Sequence, residues 1–266
     1  MASTTKIANM YNDLAWEEIW GDHIHQGFYD LNTTTKPDRK TAQFRLIEEA
    51  LRFGNVSEDS VKKPKSIVDV GCGIGGPAIY LAKKYGAKCI GIDITPYNVQ
   101  RGREISNAQG LGDKVTFQVG DALQLPFPNG KFDLVWSSEC GIHLPDKTKF
   151  VSELVRIAAP GATIILIDSC HRDLANEESL KLDEEEFFLK NKSLLPEWVS
   201  CAQYVNMFKS NLIKDIKSVD WSEHVAPFWE GRIWETINGE GDLEEYNEGR
   251  KKGIVRFSVI TCQKPE

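Results

Sequence analysis

Apolar and polar positions along the 266-residue chain follow two regimes. From Ser66 to Ile167, short apolar runs alternate with longer amphipathic segments, the pattern of βαβ units wound onto a parallel sheet. The runs predict strands at Ser66–Val70, Lys88–Asp93, Val115–Val119, Phe132–Ser137 and Thr163–Ile167. Between them the spacing predicts helices over Gly76–Tyr85, Pro96–Gln109 and Lys147–Ala158, with Pro160–Gly161 as a turn into the fifth strand.

On either side of this core the pattern changes. Residues 1–60 place aromatics at Tyr11, Trp16, Trp20, Phe28 and Tyr29 ahead of an amphipathic helix near Arg39–Phe53, which predicts a helical cap. Residues 61–170 form the core. Residues 171–266, rich in charge and tryptophan, predict helices covering the sheet. Two late apolar segments, Ile213–Val219 and Ile254–Thr261, are expected to close the sheet as an antiparallel pair. The fold expected is α/β and Rossmann-like: one domain, a mostly parallel seven-stranded sheet with helices on both faces and an N-terminal helical cap.

A net charge of −7 disfavours a phosphate backbone as partner, so nucleic acid is not expected. Cys72, Cys89, Cys140, Cys170, Cys201 and Cys262 are dispersed without a C-x-x-C pair, which argues against a zinc site or disulfide framework and suits a reducing cytosol. The N-terminus has acids early, no apolar run of signal-peptide length and no Arg-rich character. No stretch approaches the roughly 20 apolar residues of a membrane span. A cytoplasmic protein without stable membrane insertion is expected, and a homodimer is compatible with it.

The strongest local signal is SIVDVGCGIGGPAIYL, an apolar strand running into Gly71, Gly73, Gly75 and Gly76 and then a helix. Glycine lets a backbone turn tightly and a ligand approach its amides. Gly71, Gly73 and Gly76 also satisfy G-x-G-x-x-G, so the loop alone admits a dinucleotide. Asp93, ending the next strand, suits ribose hydroxyls in either case. Three features favour S-adenosyl-L-methionine. Asp69 precedes the loop, where a carboxylate would crowd a pyrophosphate but suit a cationic amino group. The pair Asp121–Ala122 follows the third strand, where a carboxylate accepts from the adenine amine. FPNGKFDLVWSSE then brings a fourth strand end beside the glycine loop. The expected cofactor residues are Asp69, Gly71, Cys72, Gly73, Gly75, Asp93, Ile94, Asp121, Ala122 and Ser137. A NAD-dependent oxidoreductase is the competing reading, disfavoured by Asp69 and Asp121.

The ordered set VDVGCGIGG, GDALQLPFPNGKFDLVWS and LVRIAAPG resembles class I methyltransferases. WGDHIHQGFYD, EEALRF, HLPDKTKFVSEL, CHRDL and DWSEHVAPFW narrow the likeness to the gamma-tocopherol methyltransferase family of plants and its alkaloid N-methyltransferase branch. The resemblance runs from about Trp16 to Lys264. It implies methyl transfer from S-adenosyl-L-methionine to a small molecule. Tocopherol enzymes carry plastid transit peptides; the early start of the shared region implies the cytosolic branch, hence an amine acceptor such as a monoterpene indole alkaloid. O- or C-methylation of a phenol, and a silent relative that only binds the cofactor, are the alternatives. The sequence departs from the family in three places: Ile142 stands where an acid usually precedes the motif histidine, Asp93 is present where an acid is often absent, and the chain is shorter between Trp229 and Gly249.

The methyl of a sulfonium is already electrophilic, so the protein has only to align the acceptor and exclude water. Glu139 and His143, just past the fourth strand, are the catalytic candidates, His143 as base or positioner and alternatively as a loop-ordering side chain. His23 and His25 lack further ligands nearby, so they are read as lining or ordering a loop, with no metal. Cys170 is read as packing and His171 as an acceptor-site candidate. Trp16, Trp20, Trp221, Trp229 and Trp234 are read mostly as packing, one or two of them as an aromatic wall. The acidic run Asp183–Glu186 is read as a solvated helix face.

Overall fold

A computed structural model describes residues 17, 20–33, 35–175, 178–191, 196–230 and 241–266, without the side chains of 191 and 241–245. Tyr11, Trp16 and Trp234 lie outside the described residues. Helix α1 spans Arg39–Phe53, with Asp38 accepting from the Thr41 amide at its start. The core then runs β1 (Ser66–Val70), α2 (Gly76–Tyr85), β2 (Lys88–Asp93), α3 (Pro96–Ala108), β3 (Val115–Val119), β4 (Phe132–Ser138), α4 (Lys147–Ile157) and β5 (Ala158–His171). Helices α5 (Leu182–Asn191) and α6 (Cys201–Ser210), strand β6 (Ile216–Asp220), a helical turn over Ser222–Trp229, α7 (Gly241–Lys251) and strand β7 (Val255–Gln263) complete it.

The seven strands lie in the order β3-β2-β1-β4-β5-β7-β6. The first five pair in parallel, and β7 runs antiparallel between β5 and β6. This is the seven-stranded, mostly parallel sheet of the class I methyltransferase fold. Because strand side chains alternate faces, neighbours feed two cores. Ile67, Leu134, Ile165 and Ile167 join Leu46, Ile47 and Leu81 of α1 and α2 on one side. Val68, Val135, Ile164 and Leu166 join Phe150 and Leu154 of α4 and Tyr204 and Phe208 of α6 on the other.

Several boundaries differ from those the sequence predicts, through strand pairing or through local hydrogen bonds at a helix end. Ala158 is already extended, so α4 stops at Ile157 and β5 begins there. Pro160–Gly161 is therefore not a turn ahead of a strand but an irregularity inside β5, where Phe132 pairs with Ala158 and Leu134 with Thr163. Strand β5 continues to His171, well past Ile167, because β7 supplies partners that far. Strand β6 starts at Ile216: the Asn211, Leu212 and Ile213 amides close the end of α6 instead.

A third, smaller apolar cluster joins chain ends. Trp20, Tyr29 and Ala42 pack with Phe228 and Trp229, and Trp20 stacks on Phe228 at 5.2 Å between centroids. The cap segment around residues 20–30 is thereby held against the far end of the sequence. No helix among the described residues is long and apolar enough to cross a membrane.

Candidate functional site

A cleft opens at the carboxyl ends of β1, β2, β3 and β4, where ligands of such sheets bind. Its floor is the Gly71–Gly75 loop. The Gly71 and Cys72 amides donate to the Ile92 carbonyl at 2.8 and 3.1 Å, tying the loop to the end of β2. Gly71 sits at φ 75°, and a Cβ there would come within 2.4 Å of the Cys140 Cβ. Only glycine fits that close crossing.

Asp93 completes the floor from β2. One oxygen accepts from the Gly73 amide at 2.9 Å; the other accepts from the Thr95 amide at 2.8 Å and from Asn98 at 3.3 Å. Burial raises its pKa, and these donors oppose the rise. Asp121 turns the chain after β3, accepting from the Leu123 amide at 2.8 Å.

Gly71, Gly73, Asp93, Ile94, Asp121 and Ala122 line this cleft, as do Glu139 and His143. Four other expected cofactor residues stand behind its wall. Asp69 is buried, with one oxygen unpartnered, and burial pushes its pKa up to about 8. Cys72 is buried, and Gly75 lies under the Phe117 ring. Ser137 is buried and donates to the Val70 carbonyl at 2.8 Å, while Ser138 reaches the cleft. Their part is to shape the wall. The cradle fits S-adenosyl-L-methionine: a glycine loop in which Gly71 and Gly75 leave no room for a side chain, carboxylates at successive strand ends, and apolar Ile92, Ile94 and Leu144 between them.

The outer wall is the loop Glu139–Leu144, which two buried side chains clamp. Lys147 donates to the Leu144 carbonyl at 2.6 Å and the Ile142 carbonyl at 3.3 Å, on either side of His143. Asp168 on β5 accepts from the Ile142 amide at 3.1 Å and from the Tyr204 hydroxyl at 2.6 Å. Burial pushes Asp168 up to about 6 and lowers Lys147. Glu139 has a left-handed backbone at φ 56° and a carboxyl that burial pushes up to about 7.

Glu139 is met by the cap. The Gln26 amide N–H donates to Oε1 at 2.8 Å, and its side-chain Nε2 donates to Oε2 at 3.1 Å. Behind Gln26 lie His23 and His25, both buried, linked ring to ring at 3.1 Å. Burial holds them neutral, pushing His25 down to about 4 and His23 to about 2. They order the cap. No metal-binding group of three or more His, Cys, Asp or Glu occurs among the described residues.

Some expectations change. His171 does not reach this cleft: its ring bonds the Arg172 carbonyl at 2.6 Å and Gln203 at 3.1 Å, because β5 extends past the site. Asp183–Glu186 is not wholly solvated, since Glu184 is buried and paired with Arg172 at 2.6 Å. Cys170 is packing, fully buried. Trp20, Trp221 and Trp229 are buried, Trp229 beside Tyr246 at 5.1 Å. Sequence reasoning missed Gln26, Lys147, Asp168 and Tyr246. No local motif marks them; Gln26 meets Glu139 across 113 positions.

Comparison with known proteins agrees with this fold and cofactor. The model of the methyltransferase domain family matches residues 68–166. The chain is 50% identical over 282 residues to a probable chloroplastic tocopherol O-methyltransferase of Oryza sativa subsp. japonica, covering 98% of this chain and 78% of that protein. It is 40% identical over 283 residues to norajmaline N-methyltransferase of Rauvolfia serpentina, covering 97% of each. A solved geranyl diphosphate methyltransferase, bound to geranyl diphosphate and sinefungin, superposes with a TM-score of 0.80 at 17% identity, over 99% of this chain and 100% of that one. At that identity the likeness speaks for the fold alone.

Proposed function

The chain belongs to the tocopherol methyltransferase-like family of S-adenosyl-L-methionine-dependent methyltransferases, and we propose that its acceptor is a small plant secondary metabolite, methylated on an alkaloid-type nitrogen. When bound, S-adenosyl-L-methionine supplies a methyl group made electrophilic by its sulfonium. The glycine loop, Asp93 and Asp121 would hold it. Asp93 keeps the loop amides in place and offers its remaining lone pairs to hydroxyls. The Asp69 carboxyl lies buried behind the cleft wall.

One observation carries the choice of acceptor. Beyond the residues that would hold the cofactor, the outer end of the cleft is lined by Glu139 and His143, with no lysine or arginine among the lining residues. Carboxylates draw in a cationic or proton-shedding amine and repel a phenolate. An amine attacks only as the free base, so a proton acceptor at the outer wall helps. His143, on the loop clamped by Lys147 and Asp168, is the acceptor of that proton, and Glu139 orients the N–H. The cap and its aromatic cluster exclude water.

O- or C-methylation of a phenol is the second reading, favoured by the 50% identity to a tocopherol O-methyltransferase. Because the chain is shorter than its relatives between Trp229 and Gly249, a relative's acceptor is not carried across on identity alone. The test is a panel of secondary and tertiary amines and of phenols, incubated with methyl-labelled cofactor and read by product mass and position. Label on nitrogen is the expected result; label on phenols alone overturns the amine reading.

A further inference from the structure

Glu139 is an unusual side chain to find at a cofactor cleft: half-buried, on a left-handed backbone, and without a cationic partner among the described residues. What holds it is Gln26. This glutamine is completely buried, and every polar atom of it is engaged. Its main-chain N–H and its Nε2 reach the two Glu139 oxygens at 2.8 and 3.1 Å. Its Oε1 accepts from the Trp229 indole at 2.6 Å. Its carbonyl is bonded to His25 Nδ1 at 2.7 Å, and Nε2 also lies 3.4 Å from the Tyr246 hydroxyl.

The orientation of the Gln26 amide follows from chemistry. An indole N–H can only donate and an ionised carboxylate only accept. Oε1 must therefore face Trp229 and Nε2 must face Glu139. The same logic fixes the histidines. The Gln26 carbonyl can only accept, so His25 carries its proton on Nδ1, and its Nε2 accepts from His23 Nδ1–H. The cap thus offers Glu139 a two-pronged donor that resembles an arginine fork in shape but brings no charge. An arginine would cancel the carboxylate; a glutamine supports it and leaves it negative.

We propose that Gln26 is the positioning residue that favours the ionised form of Glu139 and aims it into the cleft, and that Trp229 locks the amide in the donating orientation. This rests on Glu139 standing at the acceptor side of the site, and not on which acceptor is used. The arrangement joins three distant segments, the cap, the end of β4 and the turn before α7, so Glu139 is competent only when the cap is seated. Burial alone pushes the carboxyl up, the two Gln26 donors pull it back, and Asp168 on β5 adds to the rise. The other ionisable groups around it are Tyr246 on α7, His25 in the cap, Cys140 and His143 on its own loop, and Asp93 and Asp121 across the cleft. Asp69 lies beneath the glycine loop.

The test needs no acceptor. Affinities for S-adenosyl-L-methionine and S-adenosylhomocysteine are measured by calorimetry from pH 5.5 to 8.5. Only the former carries the sulfonium charge, so their ratio reports ionisation of a carboxylate facing the cleft. In the native protein the ratio rises with pH through a step near 7, and Glu139→Gln removes that step. Gln26→Met keeps the volume and removes the side-chain donor, so the step moves up by about one pH unit, the scale of one lost hydrogen bond to a charged group. Trp229→Phe frees the amide and moves the step in the same direction by less, which keeps the test in hand if Gln26→Met fails to fold. A step that stays in place in both variants makes Gln26 a packing residue and overturns the proposal. So does a step that survives Glu139→Gln, or a native protein with no step. Failure of both amines and phenols as acceptors would leave this measurement untouched, so the two readings fail separately.

Discussion

Asp93 illustrates how one residue serves two tasks. Its carboxylate holds the Gly73 and Thr95 amides and also faces the cleft. Asp93→Ala removes a charged acceptor from bound hydroxyls and releases the loop that cradles the ligand. Hydrogen bonds to charged groups are worth about 1.5–3 kcal/mol, so affinity for S-adenosylhomocysteine should fall about 10- to 100-fold. Asp93→Asn should not rescue it fully, because its amide would turn a donor toward a donor at one oxygen. Calorimetry on folded variants checks this, and native affinity in Asp93→Ala would remove Asp93 from the binding site. The acid was legible from its place at a strand end. Its grip on Gly73 was not, since that contact spans 20 positions and depends on β1 and β2 lying side by side.

At the scale of elements, one side chain gathers three carbonyls of the cap. Gln43 on α1 donates from Nε2 to the carbonyls of Trp20, His23 and His25, at 3.1, 2.5 and 3.0 Å. The Phe28 amide donates to the Ala42 carbonyl at 2.8 Å. Gln43→Met fills the same space and leaves buried carbonyls without a donor, at a cost of about 1–3 kcal/mol for each orphaned group. Hydrogen exchange should then speed up across residues 20–30, and strands β1, β4 and β5 should keep their protection. Equal protection in the cap of the variant would show that aromatic packing of Trp20 on Phe228 suffices. Periodicity made the amphipathic α1 legible. It did not reveal that a glutamine on the buried face is the pin, because polar residues on such a face look like interruptions until their partners are known.

Across the whole molecule, buried ionisable groups set the pH range of stability. Asp69 and Glu139 are pushed up to about 8 and about 7, so the native state keeps protons that the unfolded chain loses above about pH 4. Stability then falls as pH rises, because the folded state binds more protons. His23 and His25 act oppositely: their pKa values are depressed, so stability is lost as pH falls below about 6.5. The two sets oppose one another below that point. Above it the histidines are neutral in both states and the carboxyls act alone. Urea unfolding of the ligand-free protein should therefore show stability declining from pH 6.5 to 8, and Asp69→Asn should flatten that decline. A flat native profile, or an unchanged slope in the variant, would mean that Asp69 does not hold its proton.

The sequence by itself determined the alternation of strands and helices, the glycine loop, the acids at successive strand ends and the family. These rest on short-range spacing, and β1, β2, β3 and α2 lie within the predicted bounds. The terminal antiparallel pair was also legible as two late apolar runs. Tertiary structure alone decided where β5 ends, which cofactor candidates face the cleft and which stand behind it, and that Gln26 meets Glu139. The physical reason is the same in each case. A strand's length depends on its partners, a side chain's exposure depends on which face its neighbours cover, and a half-buried carboxylate is defined by donors brought to it from 113 positions away.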